Sequence, residues 1–160
     1  MIIISACLCG VRCRYDGLSN MHPTFIKLLQ TGQAIPVCPE QLGGLGTPRD
    51  AAEIAGGSGQ QVLQGQARVL NKSGQDVSNC FIRGAQETLH LAQAVDASLL
   101  ILKSRSPSCG VGEIYDGSFS SRLRSGDGVT AALLREYGYA VINDEAYLRA
   151  AESLSCPPPE

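Results

Sequence analysis

Apolar residues recur along this chain in short runs that alternate with helical spacings. Four short apolar runs predict buried β-strands, because such strands read as continuous hydrophobic stretches; they cover residues 1–5, 34–38, 98–103 and 140–142. Apolar positions at helical spacing predict four helices, namely one around residues 25–29 closed by Gly32, one over 78–95 with Ser78 as its N-cap, one over 128–137, and one that Asn143 begins and that ends near Glu152.

Three intervening segments carry weaker patterns. The segment QLGGLGTPRDAAEIAGG (41–57) holds too many glycines for a long regular element and predicts a shaped loop. Residues 61–70 alternate weakly and predict a hairpin or an edge strand. The segment SRSPSCGVGEIYDGSF (104–119) is mostly polar and turn-forming, so we expect a second loop there.

The alternation of strands and helices predicts an α/β fold. We expect a single domain over residues 1–152 with a mainly parallel sheet flanked by helices, a Rossmann-like three-layer arrangement, followed by a proline-rich tail over 153–160. Sheets of this kind bind ligands in the crevice beyond the carboxyl ends of their strands. The loops that follow the predicted strands are therefore the places to look for chemistry.

Charge and composition narrow the function classes. The formal net charge is -2, so no overall positive field draws in nucleic acid or an acidic membrane, and we expect neither as a partner. The apolar N-terminus lacks a basic region and is too short for a signal peptide, and no stretch reaches the roughly 18 apolar residues of a membrane span. We therefore expect a cytoplasmic protein, whose oligomeric state the sequence leaves open.

The seven cysteines are informative, because in the reducing compartment expected here thiols more often bind metal or react than form disulfides. Cys7 follows the first strand, Cys38 ends the second, and Cys109 lies in the loop after the third. Because the carboxyl ends of parallel strands share one edge of a sheet, we expect these three thiols to meet. Structural or incidental roles suit the thiols of Cys9, Cys80 and Cys156, the first two in the core and the last in the tail.

The cysteine spacing favours iron–sulfur chemistry over zinc. The first loop has C-x-C and C-x-x-x-C spacings, which match no standard zinc pair, and no second C-x-x-C follows. Iron–sulfur clusters are held by thiolates and tolerate ligands that are scattered along the chain. Three thiolates leave one iron of a four-iron cluster without a protein ligand, and such an iron is a Lewis acid.

Polar residues accompany two of these cysteines. Glu40 in VCPE places a carboxylate near Cys38, although a capping or salt-bridge role is an equal alternative. Ser106 in KSRSPSCG belongs to a loop that, taken alone, could bind phosphate. Arg105, beside that loop, is a candidate for orienting a substrate.

Three ordered blocks, SACLCGVRCRYDG, VCPEQLGGLGTPR and LKSRSPSCGVGEIYDGSF, resemble the signature blocks of the TudS-type thiouracil desulfurase family, formerly a domain-of-unknown-function family. The likeness extends to GDGVTAALLREYG (126–138) and so covers nearly the whole chain. The resemblance implies a 4Fe-4S cluster held by three cysteines. It also implies an enzyme that removes sulfur from thiolated nucleobases such as 2-thiouracil and 4-thiouracil.

The resemblance further implies roles for individual residues. Cys7, Cys38 and Cys109 correspond to the cluster ligands, and Cys13 belongs to the family pattern but lies farther down its loop, so it ranks below them. Glu40 resembles the catalytic acid/base and Ser106 a second active-site group. The implied reaction is a hydrolytic, non-redox cleavage of the carbon–sulfur bond that yields uracil and hydrogen sulfide. One departure is Cys9, where an apolar residue is expected and where a further thiol could replace a ligand.

Two alternatives stay open at this point. The same chemistry could serve a thiolated nucleoside or tRNA fragment, which the neutral overall charge disfavours for large RNA. The chain could instead be an iron–sulfur or zinc protein that carries sulfide or electrons or senses redox state.

Overall fold

The computed structural model describes residues 1–155, which form eight strands and six α-helices. The strands are, in chain order, β1 (Ile2–Ser5), β2 (Ala34–Val37), β3 (Ala52–Ala55), β4 (Arg68–Asn71), β5 (Leu99–Leu102), β6 (Glu113–Tyr115), β7 (Leu123–Ser125) and β8 (Val141–Asn143). The helices are α1 (Pro23–Gln30), α2 (Pro39–Leu42), α3 (Gly59–Leu63), α4 (Ser78–Ala94), α5 (Val129–Glu136) and α6 (Asp144–Ser155).

The central sheet has four parallel strands in the order β2-β1-β5-β8. Ile2 of β1 lies opposite Ala34 on one side and Leu99 on the other, so the strands start at one level. Their carboxyl ends consequently lie at one edge of the sheet. This register brings the loops after β1, β2 and β5 together.

Helices cover both faces of the sheet. On one face Ile3 and Leu100 pack with Leu89 of α4 and Leu134 of α5. On the other face Ile4 and Ile101 belong to a core cluster with Phe25 of α1, and Tyr147 of α6 packs against that cluster. Successive strand residues point to opposite faces, so the two inner strands β1 and β5 are buried on both sides. The prediction of a parallel α/β sheet between helical layers is confirmed.

The structure adds two antiparallel strand pairs that the sequence did not predict as such. The loop prediction for residues 41–57 is wrong at Ala52–Ala55, which form β3 and pair antiparallel with β4. The prediction of a hairpin or an edge strand over 61–70 holds only as a strand from Arg68 onward, because residues 61–63 belong to α3. The loop prediction for 104–119 misses β6, which pairs with β7. Ile54 and Ile114 are fully buried in a third core cluster, so tertiary burial decides these strands where local pattern does not.

Helix ends differ from prediction at two places. Val77, rather than Ser78, is the N-cap of α4, and the Ser78 hydroxyl instead accepts the Val69 amide at 2.9 Å. Helix α6 continues to Ser155, past the predicted end at Glu152, so the first part of the predicted tail is helical. The rest of that tail, with Cys156, lies outside the described residues. Asn143 does cap α6, since its side chain accepts the Ala146 amide at 2.7 Å.

Within residues 1–155, no helix has both the length and the apolarity to cross a bilayer.

Candidate active site

A cavity of about 530 Å³ opens at the carboxyl edge of the sheet. Its lining includes the last residues of β1 and β2 and the loop after β5. Every residue that the sequence singled out for cluster binding or catalysis lines this one cavity: Cys7, Cys13, Cys38, Glu40, Arg105, Ser106 and Cys109. Cys9 is not part of the lining.

Cys7 lies in a 3-10 turn, Ala6–Cys9, that follows β1 directly. Gly10 ends this turn with φ +91°, a conformation that favours glycine. The Asn20 amide donates to the Cys7 carbonyl at 2.8 Å, which folds the following loop back over the turn. Cys9, on the same turn, is buried in the core with Phe25, and burial raises the pKa of its thiol to about 11. Its packing matches that of a small hydrophobic residue.

Cys13 lies between Cys7 and Cys38, although it is farther along the loop. It is only 2% exposed, and its thiol hydrogen-bonds with both neighbouring thiols. Sharing these bonds raises the pKa of Cys13, because the proton stays on the sulfur that donates. The same bond from Cys13 lowers the pKa of Cys7, and it lowers that of Cys38 to about 7. The site therefore favours thiolates on Cys7 and Cys38.

Cys38 occupies the N-cap of α2, with Pro39 at the first helical position. The backbone amide of Gln41 also hydrogen-bonds to the Cys38 sulfur, which supports the charged form. Helix α2 in turn lies directly against α4. A Cβ atom on Gly84 of α4 would lie 1.9 Å from the Pro39 carbonyl oxygen, and one on Gly43 would lie 1.9 Å from the Cys80 carbonyl oxygen. Two glycines thus allow the approach that positions Cys38.

Cys109 is held by a serine turn. The Ser106 hydroxyl oxygen accepts the amides of Ser108 at 3.1 Å and of Cys109 at 3.0 Å. Burial raises the pKa of the Cys109 thiol, opposed by a hydrogen bond with Ser5 at the end of β1. Ser106 therefore orders the backbone of a candidate ligand, a role that sequence reasoning did not assign to it.

The first turn of α5 supports the same loop from behind. The amides of Val129 and Thr130 donate at 2.9 Å to the carbonyls of Pro107 and Ser108, respectively. The hydroxyls of Ser108 and Thr130 are 2.8 Å apart and buried. Amides of a first helical turn have no partner within the helix. The carbonyls of the loop therefore supply the acceptors that these amides lack. This explains the GDGVT segment, whose function the sequence alone did not reveal.

Glu40 is paired with Arg49, a residue that sequence reasoning missed. Arg49 Nη2 lies 2.7 Å from Glu40 Oε2, and its Nε donates to the same oxygen at 2.8 Å. Nη2 also donates to the Cys13 carbonyl at 2.9 Å. The Arg49 side chain is 10% exposed, so the pair is largely shielded from water. The available signal was its place in the GTPR block, directly after the CPE block.

Two of the other cations that line the cavity, Lys103 and Arg105, are paired with carboxylates of α6. Lys103 Nζ lies 3.1 Å from Asp144 Oδ2. Arg105 Nη1 lies 3.0 Å from Glu145 Oε1, and the Arg105 backbone has φ +64°. The role of Arg105 in orienting a substrate stays a prediction, since the structure shows its guanidinium engaged by Glu145.

The donor set fits an iron–sulfur cluster. The six cysteines among residues 1–155 are all free thiols, and four of them line the cavity. Within this part of the chain, no three Cys, His, Asp or Glu side chains are arranged to close around a single metal ion. The thiols line a cavity of hundreds of cubic ångströms, and thiolates are the ligands that iron–sulfur clusters require.

The sequence model of the 2-thiouracil desulfurase family matches residues 2–146, and the chain belongs to that family. It is similar to an uncharacterized protein, YbbK, of Bacillus subtilis (strain 168), with 48% identity over 144 residues that cover 90% of this chain and 95% of the relative. Among solved structures it is similar to the 4Fe-4S-dependent thiouracil desulfidase TudS. The TM-score is 0.81, the identity 40%, and the match covers 96% of this chain and 97% of that one. The family resemblance inferred from the three sequence blocks is confirmed.

Proposed function

We propose that this protein is a thiouracil desulfurase that uses a 4Fe-4S cluster to convert 2-thiouracil or 4-thiouracil into uracil and hydrogen sulfide. The observation that carries the proposal is the convergence of thiols from three strand ends on one cavity that also holds a carboxylate. The family match and the 4Fe-4S dependence of TudS support it. The reaction adds one water across the carbon–sulfur bond and releases one hydrogen sulfide, so no electrons are gained or lost.

Cys7, Cys38 and Cys109 would hold the cluster. Cys7 and Cys38 lie within two residues of the ends of β1 and β2, and the turn made by Ser106 fixes Cys109 in the loop after β5. Cys13, on a loop, would serve as the neighbouring thiol that hydrogen-bonds to Cys7 and Cys38. When bound, the cluster supplies one iron without a protein ligand, a Lewis acid for the exocyclic sulfur of the substrate.

Glu40 would take a proton from the attacking water. Arg49 holds the carboxylate oxygen Oε2, which leaves Oε1 as the oxygen available to accept from water. Ser106 uses its oxygen as an acceptor for two amides, so its hydroxyl hydrogen is the part available to the substrate. Both groups line the cavity beside the thiols, as a general base and a hydrogen-bond donor require.

The cavity favours catalysis over a carrier or sensor role. A volume of about 530 Å³ lies within the ordinary range of small-molecule sites, and the lining adds a carboxylate and hydroxyls to the thiols. The six free thiols suit a reducing compartment, and we place the protein in the cytoplasm.

Anaerobic reconstitution followed by incubation with 2-thiouracil and 4-thiouracil tests the proposal. Equimolar uracil and sulfide, with iron bound at four per chain, are the expected result. Cys7→Ser, Cys38→Ser and Cys109→Ser should lose iron and activity together. Cys80→Ser, on α4 and outside the cavity lining, is the matched control and should retain both. Reconstituted protein that binds iron but releases no sulfide from either base would contradict the enzyme assignment.

A further inference from the structure

The loop that joins β6 to β7 reaches the cavity with an aromatic residue in an unfavourable backbone conformation. Phe119 lines the cavity and has φ +54°, in the left-handed region. A bulky residue in this region is an outlier, because its Cβ crowds the following carbonyl. Glycine or asparagine would make the same turn with less strain.

The core does not offset this strain. Phe119 is 38% exposed and belongs to none of the three hydrophobic clusters formed by the described residues. Its backbone is nevertheless fixed. The amides of Gly117 and Phe119 both donate to Glu53 Oε1 at 3.2 Å, and Glu53 on β3 is only 8% exposed.

The loop is also seated closely on β3. A Cβ atom on Gly117 would lie 2.5 Å from the Ile54 carbonyl oxygen. A buried carboxylate and a close backbone contact thus hold a strained aromatic residue at the wall of the cavity. Backbone strain of this kind is kept where surrounding structure over-determines it, and it clusters at ligand sites.

We infer that Phe119 is a substrate-contact residue that packs against the pyrimidine ring, and that Glu53 is the positioning residue that holds it there. The inference rests on the proposed function for the identity of the ring. A planar heterocycle gains from an aromatic face, and stacking of a base on an aromatic side chain changes affinity by roughly 5- to 100-fold. The cluster that the thiols would hold serves the exocyclic sulfur, while Phe119 would hold the ring that carries it.

The Phe119→Gly variant removes the aromatic contact but keeps the turn, because glycine adopts φ +54° without strain. In cluster-loaded enzyme we expect KM for thiouracil to rise about tenfold with kcat retained, and the melting temperature to stay equal or rise. Phe119→Tyr keeps the ring and should keep the native KM. Glu53→Ala should raise KM similarly and lower the melting temperature. Leu123→Ala, an exposed apolar position on β7 outside the cavity lining, is the control and should change neither.

Equilibrium dialysis of uracil, which needs no turnover, distinguishes failure of this inference from failure of the proposed function. If the native enzyme releases no sulfide, the proposed function fails, yet weaker uracil retention by Phe119→Gly than by native protein still supports the ring contact. Native KM and native uracil retention in Phe119→Gly would overturn the inference. A lower melting temperature with unchanged KM would likewise show that Phe119 serves the fold alone.

Discussion

Arg49 binds two parts of the site at once: its Nη2 lies 2.7 Å from the Glu40 carboxylate and donates to the Cys13 carbonyl at 2.9 Å. The guanidinium thereby links the loop after β1 to the start of α2. Glu40 cannot change its position without disturbing the thiol loop. Variants at the two residues should therefore behave differently.

Glu40→Gln should preserve the cluster absorption and iron content but lower kcat by about 100-fold or more, because general acid–base groups contribute 10²- to 10⁴-fold. Arg49→Lys should lower kcat by a smaller factor, since a lysine cannot reproduce the forked contacts. Arg49→Ala should in addition reduce iron content, because the Cys13 loop loses its tether. The measurements are anaerobic kinetics and iron per chain. Native turnover in Glu40→Gln would show that the base is another group.

Ser106→Ala should loosen the turn before Cys109. Loss of its acceptor oxygen leaves the Ser108 and Cys109 amides without their partner, at a cost of about 1–3 kcal/mol in the free energy of unfolding. We expect the iron content to fall, and kcat per bound iron to fall by a larger factor than the iron content. Ser153→Ala, whose hydroxyl donates to the Ala150 carbonyl on exposed α6, is the control. Full activity per iron would limit Ser106 to a structural role.

Gly84→Ala should push α2 away from α4. The added Cβ would lie 1.9 Å from the Pro39 carbonyl oxygen, a backbone atom that cannot move aside alone. We expect a loss of about 1–3 kcal/mol in the free energy of unfolding together with reduced cluster binding, measured by urea titration and iron content. Gly46→Ala is the matched control, because its Cβ meets no atom within 4 Å. Equal stability of the two variants would contradict the close approach.

Asp76 should make α4 stability depend on pH. The Ser78 hydroxyl and amide donate to the Asp76 carboxylate at 2.6 Å and 3.0 Å, and these bonds lower the pKa of Asp76. A lowered folded-state pKa contributes stability that is present above the unfolded pKa, near 3.9, and is lost as pH falls through the folded value. Asp76→Asn should therefore melt below the native protein at pH 7, and the difference should shrink below pH 4.

A double-mutant cycle tests whether the pH-dependent stability that Asp76 provides comes from its hydrogen bonds with Ser78. In a Ser78→Ala background the Asp76→Asn change should cost less, because one donor is already absent. Asp96→Asn, at the end of α4, provides a control for the general effect of removing a surface carboxylate. A pH-independent difference between native protein and Asp76→Asn would contradict the assignment.

Sequence pattern could predict the four strands of the parallel sheet because each is a short continuous apolar run, and β1 and β5 are buried on both faces. It could also predict that Cys7, Cys38 and Cys109 share an edge, since parallel strands end together. It could not predict β3 or β6, whose residues become strands through Ile54 and Ile114 burying against distant elements.

The polar contacts of the site were even harder to predict from the sequence than these strands. Arg49 and Glu40 are nine positions apart and meet only because α2 and the following loop turn back on themselves. Cys13 is distant from Cys7 along the loop but close to it in space, because the loop folds back through the hydrogen bond from the Asn20 amide to the Cys7 carbonyl. Both contacts depend on long-range closure, which local periodicity does not encode.

The attachment of the Cys109 loop to α5 has a consequence for how the cofactor is acquired. The α5 amides bind the carbonyls of this loop, and the Ser106 hydroxyl accepts the Cys109 amide. These hydrogen bonds hold this wall of the cavity and involve no metal. We therefore expect the polypeptide to fold before the proposed cluster binds, with this wall of the cavity already formed. Amide hydrogen exchange at Val129 and Thr130 should accordingly be as slow in freshly purified, iron-free protein as in the loaded enzyme.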